Sequence, residues 1–244
     1  MLLAICLALV VGILVGLLGG GGSILTVPIL VYVLHVSPKP AIATSLFIVG
    51  ATSLVAMSMH ARAGRVRLRV GLTFAVASMS AAFVAARVAR GIPAGILLAA
   101  FTFVMTVTAL AMFRKRKESG RTAGPPARTL AVGVAVGALT GLVGAGGGFI
   151  VVPALTMLCG LPMAEAIGTS LLVVALNSFA GFFGHVGHVA LDTNVLLSMT
   201  LSAAIGSVGG ALASRRVPAS ALRQGFAVLV LSVAAYMTYR QLRA

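Results

Sequence analysis

GLLGGGGSILTVPIL, residues 16–30, sets four consecutive glycines, Gly19 to Gly22, inside a stretch otherwise apolar enough to cross a bilayer. A glycine in a helix interior costs about 1 kcal/mol against alanine. In hydrocarbon, each freed N–H or C=O left unpaired costs several kcal/mol more, so a break persists only where protein or a water-filled cavity satisfies the backbone. The glycines lie in an apolar run over 1–34. As one continuous helix it would reach about 51 Å at 1.5 Å per residue, against a hydrocarbon core of about 30 Å. Either the segment crosses as a broken, tilted helix, or it folds back as a re-entrant hairpin.

The rest of the chain is of the same kind. Of 244 residues, 60% are hydrophobic and only 9% charged, and the mean hydropathy is +1.14. Uncharged runs of spanning length recur throughout, which predicts an all-α integral membrane protein embedded in a lipid bilayer. The net charge of +15 comes from eighteen Lys and Arg set almost entirely at the ends of apolar runs. That is the anchoring of a bundle against an anionic leaflet, not a nucleic-acid surface. The N-terminus, MLLAICLALVVGILVGLLGG, lacks a positive n-region and a small-residue cleavage site and is expected to be retained. Cys6 and Cys159 are too few for a disulfide framework and read as small buried residues. No CxxC, HExxH, P-loop or GxSxG pattern is present, so neither an enzyme, a metal site nor a cofactor is expected.

The glycine stretch has a twin. GLVGAGGGFIVVPAL begins at 141, an offset of 125, and the offset continues without insertion. Thr44, Ser45 and Leu46 match Thr169, Ser170 and Leu171; His60 matches His185; Pro93 matches Pro218; Gly12 and Gly16 match Gly137 and Gly141. Two tandem membrane repeats, 1–113 and 129–244, are expected, joined by a charged linker loop at 114–128. The first repeat has apolar segments at 1–34, 38–60, 70–88 and 93–113, the second at 129–159, 163–187, 193–213 and 218–239. Each repeat is thus a glycine-broken hairpin or broken helix plus three transmembrane helices, six to eight spans in all. The loops choose the orientation. ARAGRVRLR at 61–69 carries four arginines, while its partner VGHVALDTN at 186–194 carries none and contains Asp192. Equivalent loops so unlike in charge fit opposite sides of the membrane, hence inverted repeats with both termini outside.

Backbone freed in the membrane becomes a ligand. A helix restarting at Ser23, after Gly19, Gly20, Gly21 and Gly22, points its first N–H groups back at the break. Gly144, Gly146, Gly147 and Gly148 do the same in the second repeat. A helix N-terminus resembles roughly +0.5 charge, so two of them facing one another make an anion cradle without a basic side chain. Thr44 and Ser45, like Thr169 and Ser170, carry hydroxyls about two turns inside the next helix, where they donate to an oxyanion or back to their own helix. Asn177 is a weaker pocket residue. His60 and His185 fall near the opposite helix ends and read as interfacial, or as gates or proton acceptors. Glu118, Glu165 and Asp192 are the only acids, all near segment ends, so no buried carboxylate is available for proton or sodium coupling. A small anion leaving a negative interior gains about 2.3 kcal/mol per charge per 100 mV without any coupling ion.

The paired glycine stretches, each followed by TSL sixteen residues after its Pro, resemble the TauE/SafE family of sulfite exporter-like permeases over nearly the whole chain. The resemblance implies a multi-pass permease of a prokaryotic inner membrane that exports sulfite or a related organosulfonate. Ala145 replaces one glycine of the second stretch and Gly148 stands where the first has Ser23, so the two half-sites need not bind equally. Uptake of an anion or organic acid, or a non-transporting anchor for another complex, stays open, as does a homo-oligomer.

Overall fold

The computed structural model describes residues 2–89, 102–103, 106–112, 126–143, 148–185 and 191–243. Helix α1 (Leu2–Leu18) ends in a 3-10 turn (Gly19–Leu25), one α turn (Thr26–Pro28) and a π turn (Ile29–Val33). Helices α2 (Pro38–Arg62) and α3 (Leu68–Ala89) follow, and 106–112 is helical. The second half has α4 (Pro126–Val143), α5 (Gly148–Pro153) running into a π turn (Ala154–Leu158), α6 (Met163–His185), α7 (Thr193–Ala213) and α8 (Ala219–Arg243). Most of 93–113 and of the linker lies outside the described residues.

Among the described residues, five helices are long and apolar enough to cross a membrane: Pro40–Arg62, Leu68–Ala85, Met163–Phe183, Thr193–Ala213 and Ala219–Tyr236. Their limits fall close to those expected because the punctuation is chemical. Proline occupies the first turn of α2, where its missing N–H is unpaired anyway. Gly64 then leaves α2 at φ 69°, a conformation that suits a residue without Cβ. The Asp192 carboxylate caps α7 by accepting from the N–H groups of Asn194 and Val195. Large apolar side chains such as Phe83, Phe103 and Phe183 stand exposed on the rim, as a bundle bathed in lipid requires. Cys159 is buried as expected, but Cys6 is exposed, because it sits on an outward face of α1.

The glycine break turns the chain back instead of letting it cross. A Cβ at Gly22 would lie 2.6 Å from the Val15 nitrogen, and Leu30 packs in one buried cluster with Ala8, Ala41 and Met199. The return arm therefore runs back along α1. In the second half the Cys159 thiol, past the π turn, meets the hydroxyl of Thr129 near the start of α4. Both broken segments are hairpins.

Small residues set how the long helices meet. Gly12 faces Ala203 and Gly16 faces Ser207, while Gly206 and Gly210 face Leu9 and Ile13, so α1 and α7 run parallel with their backbones in contact. Gly133 faces Phe74 and Ala77, and Gly137 faces Ser78, so α3 and α4 do likewise. The Gly12–Ala203 and Gly137–Ser78 contacts are displaced from one another by 125 positions in both partners. Helices α2 and α6 run antiparallel at the centre. Gly181 faces Leu46, Gly50 faces the Phe179 ring, where an added Cβ would lie 3.3 Å away, and Gly168 faces the Cβ of His60; Phe47 packs edge-on against Phe179.

Candidate functional site

The two broken segments touch at their glycines. A Cβ on Gly20 would come within 2.8 Å of the Gly148 Cα and 2.7 Å of a Val174 methyl. At Gly148 it would meet the Gly20 carbonyl at 2.5 Å and Ser23 Oγ at 2.9 Å. Gly19, at φ 76°, would strike Ser170 Oγ at 2.7 Å. Ser23 Oγ donates to the Gly20 carbonyl at 2.5 Å, so the first turn satisfies part of its own freed backbone. Gly21 lies in the same 3-10 turn. Gly144, Gly146 and Gly147 lie outside the described residues.

Both breaks lead into helical turns. After the first break the chain makes a 3-10 turn, a three-residue α turn and a π turn in unbroken succession from 19 to 33. After the second it makes six α residues before a π turn. The peptides stay aligned through these changes of turn type, so the stretches 19–33 and 148–158 each keep a helix dipole with its positive end toward the break. The glycines also let the two backbones approach closely.

The hydroxyl pairs do not converge on one point either. Because α2 and α6 are antiparallel, Thr44 and Ser45 lie about 20 Å along the axis from Thr169 and Ser170. Ser45 and Ser170 each donate at 2.8 Å to a carbonyl of their own helix, Ile42 and Ile167 respectively. Thr169 Oγ1 accepts the backbone N–H of Arg67 at 3.0 Å. Only Ser170 is placed beside the meeting glycines. Asn177 donates to Ser78 Oγ at 3.3 Å, while its own carbonyl oxygen is buried without a partner, as are the hydroxyls of Thr26, Thr52 and Ser53. Thr52 stands 125 positions before Asn177, which was the available signal for it.

His60, in the last turn of α2, is buried within the protein. It is 2% exposed, and its Nε2 lies 3.1 Å from the Gly16 carbonyl, one turn before the break. His185 closes α6 in the backbone, and its side chain lies outside the described residues. Beyond His60, the chain between α2 and α3 folds over the start of α6. The Arg65 carbonyl packs on Gly168, and the Arg67 guanidinium pairs with Glu165 through Nε and Nη2, both at 2.8 Å. Hydrogen bonding to that carboxylate, and then its charge, raise the Arg67 pKa further above its ordinary value. Arg215 donates to the Met59 carbonyl at 3.1 Å, tying the α7–α8 connection to the same end. Among the described residues, no three of His, Cys, Asp or Glu group as metal ligands.

Spanning apolar helices around two touching re-entrant breaks define a multi-pass membrane protein. The chain belongs to the sulfite exporter TauE/SafE family, which it matches over residues 4–237. It is 34% identical over 244 residues to a probable membrane transporter protein of Xylella fastidiosa, covering 94% of this chain and 92% of that one. It is 25% identical to the probable membrane transporter protein YdhB of Bacillus subtilis, covering 91% and 94%. It is 29% identical to the probable membrane transporter protein MJ0441 of Methanocaldococcus jannaschii, covering 76% and 73%. No solved structure matches it. The family and these relatives make the chain a membrane transporter.

Proposed function

We propose that the protein exports a small sulfur-containing oxyanion, sulfite or an organosulfonate, through the contact between its two glycine breaks. The observation that carries this reading is the meeting of Gly20 with Gly148 beside Ser170. Two irregular backbone segments touch in the middle of a bundle, where membrane proteins place such segments to serve a permeant molecule. The family's description supplies the substrate class. The hydroxyl pairs then line successive stages of one path, Thr169 and Ser170 on the arginine-rich side of the breaks, Thr44 and Ser45 on the other. The chain is two inverted repeats with the 61–69 loop on the cytoplasmic side, a reading supported by the antiparallel crossing of α2 and α6.

Purified protein in liposomes, loaded with radiolabelled sulfite under an imposed potential, tests the function. Efflux should follow the potential and fall in the Thr44→Ala/Thr169→Ala double variant. No flux of sulfite or sulfonates from a folded preparation removes the reading. Cysteines introduced singly at Arg65 and Ala190 test the inversion, which requires them to label from opposite sides.

A further inference from the structure

The Arg67–Glu165 pair closes one end of the proposed path with the same chemistry that the path carries. Arg67 is held at two places at once: its backbone N–H on Thr169 Oγ1, one of the path hydroxyls, and its guanidinium on Glu165 through two parallel 2.8 Å bonds. A carboxylate held in this way presents two oxygens to a planar fork, and a sulfite or sulfonate presents the same face. The side chains are reachable from water, at 58% exposure for Arg67 and 22% for Glu165. So exposed an ion pair contributes little net stability and exchanges partners readily. Arg65, Arg69 and Arg215 add positive charge nearby, and Glu165 and Glu118 are the only acids before Asp192.

We propose that Arg67 is an oxyanion-binding latch. Glu165 is a tethered stand-in for the substrate; an incoming oxyanion displaces it from the Arg67 guanidinium, and the 63–67 segment then releases Thr169. This rests on the anion-transport reading for its ligand but is tested apart from flux. The latch is one-sided, because the position equivalent to Glu165 is Pro40 and that equivalent to Arg67 is Asp192.

The test is a bimane fluorophore attached through Val66→Cys in full-length protein with Cys6→Ala and Cys159→Ala, titrated with methanesulfonate or sulfite against chloride at matched ionic strength. Both oxyanions should shift the emission saturably and chloride should not. Glu165→Gln should begin in the shifted state and respond no further. Arg67→Lys, which keeps the charge but loses the fork, should weaken the midpoint about tenfold. Emission unchanged by Glu165→Gln overturns the latch. Emission shifted by Glu165→Gln but insensitive to both oxyanions overturns the exchange. An intact oxyanion response in a protein that passes no sulfite would leave the latch standing and remove the transport reading instead.

Discussion

Arg67 and Asp192 occupy equivalent positions in the two halves, 125 apart, each immediately before a helix. The backbone treats them alike: the Arg67 carbonyl accepts from Gly71 N–H and the Asp192 carbonyl from Leu196 N–H, both at 2.9 Å. The side chains part company. Asp192 turns inward on its own helix, accepting from Asn194 and Val195 at 2.9 and 3.2 Å. Arg67 reaches across to Glu165, 98 positions away. One end of the molecule is thus closed by a local cap and the other by a link between helices. A cap stabilises the helix that carries it; a link between helices governs whether they separate.

The backbone contact shared by both halves should dominate any comparison between them. Gly148→Val drives a side chain into the Gly20 carbonyl and should cut sulfite efflux at least about tenfold. Gly209→Ala, which faces open space, should leave efflux unchanged. Next, Gly12→Val and Gly137→Val should each destabilise the fold by about 1–3 kcal/mol, the usual cost of overpacking. Thermal unfolding followed by circular dichroism should find the two alike, since their contacts correspond; a large inequality would break the equivalence of the halves. Asp192→Ala should cost about 1 kcal/mol of stability, as lost caps do, without moving the emission of the 63–67 probe. Glu165→Gln should do the reverse, leaving the unfolding midpoint nearly where it was while releasing that probe.

The described helices and the two interruptions between them were legible in the sequence because each is announced locally, by a run of apolar residues, a proline in a first turn or a block of glycines. Whether the glycines bend the chain back depends on what fills the space beside α1, and only Leu30 settling against Ala8 decides it. The separation of Thr44 from Thr169 follows from the antiparallel crossing of α2 and α6, which no single stretch encodes. Glu165 was the least legible residue: it lacks a counterpart in the other half, so the repeat that exposed Thr169 passed over its neighbour. Its one signal was scarcity, three acids against eighteen basic residues.

The parallel seam between α1 and α7 also sets an order of events during synthesis. The first helix is made at once, but Leu18 and Thr193 lie 175 positions apart. At about 5–20 residues per second, the glycine face of α1 waits roughly 10–35 s in the bilayer before its partner emerges. A nascent chain halted after α6 therefore holds both hairpins and the central crossing, but α1 still has lipid, or another protein, against Gly12 and Gly16.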